Sequence, residues 1–256
     1  MNEALRRSIK VAALLPGLVQ RRRSDDVVAL IYHRIEQDGR EVDVSPATFD
    51  RHLRFLADRG LTIPIGRMTE QGGVVVTFDD GYRDFYERGL PLLVKHAVPA
   101  VLYLQTGLVA NGNRSAPAAL NWSQLSDATS TGLVTIGAHT HTHPNLSRAT
   151  EAEAEVEMLK SKEIIEDKLG LECRHFAYPF GAGSPTADRV ARRHFDSAAL
   201  GNWRINRRGR FDLHQLGRTP VLRSDGEAFF RAKVAGRLSA EGFAYRVLGR
   251  GPWRDS

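Results

Sequence analysis

Short, mostly apolar runs recur along the chain, and most end in polar or glycine-rich residues. Val27–Tyr32, Val74–Phe78, the Pro99–Thr106 segment, Val134–Gly137, His175–Pro179, Ser197–Leu200 and Leu216–Val221 are too short for buried helices. Several are rich in β-branched residues, which suits strands covered on both faces. Stretches with helical spacing separate them. Ser45-Pro46 supplies an N-cap and a first-turn proline for a helix that buries Phe49, Leu53 and Leu56 and stops at Gly60. Phe85, Leu92 and Leu93 mark the next, Asn121–Leu125 opens a short one, and Thr150–Leu169 is the longest. The last carries Val156, Leu159, Ile164 and Ile165 in a lattice of Glu and Lys, with Gly170 at its end. Its acidic run reads as a solvated face. Ser184-Pro185 opens a further helix through Phe195, and Asp225–Leu238 is the final one. Strands alternating with helices over the whole chain predict a parallel sheet closed, or nearly closed, into a barrel.

Composition narrows the class. At 256 residues, with 42% hydrophobic and 26% charged positions, the chain suits one domain with a substantial core. No internal repeat or low-complexity linker divides it. The expected layout is a basic N-terminal segment (1–24), a catalytic domain (25–241) and a basic tail (242–256) that includes Trp253. The net charge of +6 fits an anionic partner such as a membrane surface, a phosphate-bearing lipid or an acidic glycan, and no motif supports nucleic acid. A single cysteine, Cys173, allows no internal disulfide, has no evident base beside it, and reads as a small apolar residue entering a strand. Residues 1–23 combine Arg6, Arg7, Lys10 and Arg21–Arg23 with a short apolar middle broken by Pro16-Gly17, which fits neither a secretory signal nor a membrane span. A solvated helix and a basic amphipathic segment on an anionic membrane both remain open. The expected location is the cytoplasm, with peripheral contact to the inner membrane face.

The chemistry concentrates where apolar runs end. Val74–Phe78 runs into Asp79-Asp80-Gly81. Two adjacent carboxylates at a strand mouth raise each other's pKa, and a divalent cation is the usual remedy. Further on, His139-Thr140-His141-Thr142-His143 places three histidines in five residues. Asp80 with His139 and His143 forms a carboxylate–imidazole set suited to Zn²⁺, with Co²⁺ or Ni²⁺ as alternatives. His141, between the two, is expected to bond locally or face solvent.

Thr77-Phe78-Asp79-Asp80-Gly81, the His139–His143 run and Arg174–Gly181 resemble, in order and spacing, the three motifs of the polysaccharide deacetylase family, the NodB-type carbohydrate esterases of family 4. The resemblance runs from Val27 to Val221. It implies a distorted (β/α) barrel of about seven strands, with the site at the C-terminal strand ends. The motif residues do sit at predicted strand ends. The resemblance also implies that Asp79 is the catalytic base, that Asp80, His139 and His143 hold the metal, and that the Phe180 amide faces the oxyanion. Tyr178 and Phe180 are candidates for the sugar platform, and Trp122 for a groove wall, with core packing as the competing role for each.

Two departures stand out. Ala177 occupies the place of the arginine that contacts the base in many members, and the late Leu-x-x-His motif is missing. In a shorter subgroup, resembling poly-N-acetylglucosamine deacetylases, a Tyr-His at the end of the first strand takes the acid role. Tyr32-His33 matches it, so His33 is the expected general acid and His214 the alternative. The implied activity is metal-dependent removal of an acetyl group from an N-acetylated sugar of a polysaccharide or a lipid-linked or other glycoconjugate precursor. Competing readings are an O-deacetylase or deformylase, an inactive carbohydrate-binding relative, and a membrane-surface scaffold.

Overall fold

The computed structural model describes residues 8, 11, 22–37, 39–111, 119–237 and 241. Most of the basic segment 1–24 and the whole tail 242–256 lie outside the described residues. Seven parallel strands close into a barrel: β1 (Val27–Tyr32), β2 (Gly73–Phe78), β3 (Ala100–Leu104), β4 (Val134–Ala138), β5 (His175–Ala177), β6 (Ser197–Leu200) and β7 (Leu216–Pro220). β1 pairs with β2 from Val27↔Gly73 to Tyr32↔Phe78 and closes the ring on β7 through Ala29↔Arg218 to Ile31↔Pro220. The seam between β4 and β5 keeps one pair, Ala138↔Phe176, and is where the barrel is most distorted.

Among the described residues, seven α-helices surround the barrel: α1 (Pro46–Ala57), α2 (Leu90–His96), α3 (Thr106–Asn111), α4 (Trp122–Ser130), α5 (Glu151–Leu169), α6 (Pro185–His194) and α7 (Glu227–Val234). Local sequence explains their ends. Ser45 and Ser184 cap α1 and α6, Asn121/Gln124 and Thr150/Glu153 form reciprocal capping boxes, and Gly170 ends α5 in the left-handed conformation.

Strand alternation divides the core in two. Val28, Leu30, Tyr32, Val74, Val76 and Phe78 face outward against the helices. Val27, Ala29, Val75, Val101, Tyr103, Ala177, Ala199 and Leu216 face inward, and Ile63, Ile65 and Met68 plug the end where strands begin. The opposite end stays polar. Gly137 is required on the inward stripe, because a Cβ there would lie 2.6 Å from the Tyr103 ring.

Two helices differ from expectation. α5 buries Ala154, Met158, Ser161 and Ile165 and leaves Val156 64% exposed, so its inner face is small and mixed. The final helix ends at Val234 because Gly236 turns left-handed. Cys173 is buried and its thiol is pushed up to about 12 by burial, consistent with an inert packing residue. No helix among the described residues is long and apolar enough to cross a membrane.

His52 on α1 stacks on Phe230 of α7 at 3.6 Å between ring centroids, and its Nδ1 lies 3.1 Å from the Tyr32 hydroxyl. Burial lowers His52 to about 3 and His175 to about 4. The unfolded chain therefore takes up protons on these groups near their ordinary pKa of about 6.5, while the folded chain refuses them. Stability should fall as pH drops from about 6.5 toward 4, by up to about 1.4 kcal/mol per pH unit per group. Urea unfolding of His52→Gln over this range should give a flatter slope than the parent. Parallel slopes would contradict the assignment.

Candidate active site

The inward stripes carry the chemistry to the rim. Continuing the alternation of β1 brings His33 inward beyond Ile31. β2 brings Thr77 and Asp79, β4 leads to His139, and β7 contributes Arg218. Asp80 would point away from Asp79 in an extended strand, but its φ of +75° breaks the alternation, so both carboxylates serve one rim. Gly81 follows at φ +94°, and a Cβ there would press on Leu104 at 2.8 Å.

Arg218 is the residue that the sequence reading missed. It is 1% exposed, and its guanidinium grips Asp79 in a two-pronged bond, Nη1–Oδ1 2.7 Å and Nη2–Oδ2 3.0 Å, while Nη1 also reaches Thr77 Oγ1 at 3.2 Å. The guanidinium lies over the Tyr103 ring at 5.1 Å. Burial alone would raise the Asp79 carboxyl. The charge and hydrogen bonds of Arg218, with His139 and His33 nearby, overcome it and hold Asp79 down at about 2. Asp79 is thus an ionised carboxylate in a dry setting. Asp80 is raised, first by burial and then by the Asp79 charge, although His33 opposes this and the Tyr82 hydroxyl bonds its carboxylate.

His139, His143 and Asp80 converge. The two Nε2 atoms are 3.3 Å apart and stand 3.7 Å and 3.5 Å from Asp80 Oδ1. His139 donates Nδ1–H to the Ala177 carbonyl at 2.7 Å, which leaves the Nε2 lone pair facing its neighbours. Burial lowers His139 to about 3 and lowers His143 as well, so both are neutral imidazoles at neutral pH. Lone pairs facing one another at these distances repel unless a cation lies between them. The spacing matches the ~3.3 Å between neighbouring ligands bound to zinc at about 2.0–2.1 Å. The three residues form the one group among those described that could hold a metal ion. Asp79 Oδ2 is 3.9 Å from His139 Nε2 and is committed to Arg218.

The remaining predicted residues divide. Phe180 adopts φ +57°, is 39% exposed, and packs its ring edge-on against His143 at 4.7 Å. Its N–H has no acceptor among the described residues. Tyr178 is not at the sugar platform. It faces outward with Phe176, packs edge-on against it at 5.1 Å, and is buried behind α6. Its parity along the strand accounts for this, because Ala177 takes the inward position. Trp122 is half-buried against the outer core at the start of α4, beside a segment bonded to Gly81, so packing is its observed role. His141 bonds Thr106 Oγ1 at 3.0 Å and is not a ligand. His214 lies at the opposite end of the barrel, before β7 begins, with Nε2 bonded to the Phe195 carbonyl at 2.7 Å. It cannot act at this rim. His33 is buried beside both carboxylates.

The sequence model of the polysaccharide deacetylase family matches residues 66–195, half of the chain. The chain belongs to the polysaccharide deacetylase family. Members are hydrolases of carbon–nitrogen bonds other than peptide bonds. A Bacillus subtilis relative named for the same family, YxkH, is 25% identical over 162 residues, 59% of this chain and 56% of its own length. The chain thus spans little more than half of that curated relative. The deacetylase PplD of Streptococcus pyogenes, solved in complex with acetate, shares 24% identity at TM-score 0.74, covering 83% of this chain and 99% of its own. IcaB of Ammonifex degensii shares 25% identity at TM-score 0.74, with 84% and 98% covered. The family's barrel is therefore present, and the arginine bonded to Asp79 comes from β7.

Replacing Arg218 should expose what it does. In Arg218→Met, burial of Asp79 loses its largest counterweight, so its pKa rises and an acid limb enters the pH–rate profile, with at least about a 10-fold loss below pH 6. Arg218→Lys should fall between, because an ammonium cannot make the two-pronged bond. A profile of unchanged shape in both variants would contradict the role.

Proposed function

We propose that this deacetylase-family chain hydrolyses the N-acetyl group of an N-acetylated sugar in a polysaccharide or glycoconjugate precursor, with a divalent metal, most simply Zn²⁺, on Asp80, His139 and His143. The observation that carries the reading is a division of labour between adjacent carboxylates. Asp80 joins two neutral imidazoles as a third donor, while Asp79 is held ionised by Arg218 and kept out of that set. When bound, the metal supplies Lewis acidity, lowering the pKa of water and polarising the carbonyl.

The chain's own residues do the rest. Asp79 accepts the proton of the attacking water. Its low pKa keeps it in the basic form throughout the working range. The Phe180 N–H, held outward by the left-handed turn, donates to the oxygen that gains charge in the tetrahedral state. An amine is a poor leaving group, so amide cleavage needs a proton delivered to nitrogen, and His33 faces the rim to give it.

Acetate release from a chitin oligomer tests the core of this. Release should vanish with chelator, return with Zn²⁺, and drop by at least about 10³-fold in Asp79→Asn. Chelator-insensitive release, or an active Asp79→Asn, would refute it. His33→Gln should lose amide hydrolysis far more than hydrolysis of an activated acetyl ester, whose leaving group needs no proton. His214→Ala should leave both unchanged, and the reverse pattern would make His214 the acid.

We also assign the basic segment 1–24 to contact with an anionic membrane, from its six Lys and Arg residues around an apolar middle. The chain should cosediment with vesicles containing phosphatidylglycerol and not with pure phosphatidylcholine, and equal behaviour on both would remove the assignment.

A further inference from the structure

The loop bearing His139 and His143 has no regular structure after β4, yet Thr140 and His143 hold left-handed backbone at φ +66° and +62°. Each such residue costs on the order of 1 kcal/mol, so the surroundings must hold the loop in place. Two elements do so. From one side, the start of α3 donates Thr106 N–H to the Thr140 carbonyl at 3.2 Å and Gly107 N–H to the His141 carbonyl at 2.8 Å. From the other side comes Glu157 of α5. Its Oε2 accepts the backbone amides of both His141 (3.0 Å) and Thr142 (2.8 Å), and its Oε1 accepts the Thr142 hydroxyl at 2.8 Å. Those two amides lie between the two candidate metal ligands. Glu157 belongs to the acidic run that reads from sequence as a solvated face, and it is only partly exposed.

We propose that Glu157 is a positioning residue for the candidate metal centre: it clamps the chain between His139 and His143 and thereby sets the spacing of their Nε2 atoms. This rests on the metal reading above. An ionised acceptor on backbone amides makes a stronger bond than a neutral one. No other ionised side chain bonds the loop amides among the described residues. Loss of the clamp frees two adjacent amides and lets the left-handed residues relax, which moves His143 relative to His139 without removing either ligand.

The test compares Glu157→Gln and Glu157→Ala with the parent and with Glu163→Gln, which removes an exposed charge from the same helix. Zn²⁺ affinity is measured by competition with a chromophoric chelator, and amide hydrogen exchange of segment 139–145 is followed in metal-free protein. Both Glu157 variants should bind Zn²⁺ about 10- to 100-fold more weakly, as expected for an outer partner of a metal ligand set. Exchange in 139–145 should accelerate. Glu163→Gln should match the parent in every readout. Unchanged Zn²⁺ affinity in the Glu157 variants, even with a lower Tm, would overturn the proposal, as would equal weakening in Glu163→Gln. A parent that binds no Zn²⁺ would overturn the metal reading and the proposal with it. Accelerated exchange in that case would separate the loss of the metal reading from a failure of the clamp itself, which unchanged exchange would reveal.

Discussion

A buried carboxylate stays ionised only if something in the same dry space compensates it, and here that is Arg218 on Asp79. The pair reaches across the barrel interior from β7, the last strand, to the end of β2. The ionised Asp79 is therefore set only when the ring has closed. Small inward residues make the crossing possible: Ala29, Ala177 and Ala199 leave the volume that the guanidinium and the Tyr103 ring fill. Breaking such a pair from one side leaves a stranded charge and typically costs 3–5 kcal/mol, so the arrangement ties catalysis to the integrity of the fold.

The two ends of the barrel answer different demands. Ile63, Ile65 and Met68 close one end with apolar side chains. The other collects Asp79, Asp80, His139, His143 and His33 under partial cover. Left-handed backbone gathers there too. Asp80, Thr140, His143 and Phe180 are four of the six non-glycine residues with positive φ among those described. Each redirects a group that regular strand geometry would send elsewhere: a second carboxylate, two turns of the histidine loop, and an amide.

Most of this was legible in the residues. The strands stand out as short, largely apolar runs between helical stretches, and the helix starts because Ser45, Asn121, Thr150 and Ser184 announce them. Asp80, His139 and His143, singled out by the motifs, lie together in the structure. Arg218 was hidden because Ala177 occupies the expected place and a lone arginine in Leu-Gly-Arg-Thr-Pro reads as an edge residue. Strand parity was the available signal: counting inward positions from Leu216 puts Arg218 inside, where an unpaired charge is untenable. The same count would have turned Tyr178 outward. Val156 misled in the opposite way, since apolar character alone says nothing of direction when the true inner face of α5 is built from Ala154, Met158 and Ser161.

Asp80, and not Asp79, would join His139 and His143 around a metal while Arg218 holds Asp79 apart. Anomalous diffraction from crystals grown with Zn²⁺ tests it most directly. The account predicts one peak within about 2.0–2.2 Å of Asp80 Oδ, His139 Nε2 and His143 Nε2, with Asp79 still bonded to Arg218 and outside bonding distance of the ion. A peak ligated by Asp79, or a peak away from these three residues, would contradict it.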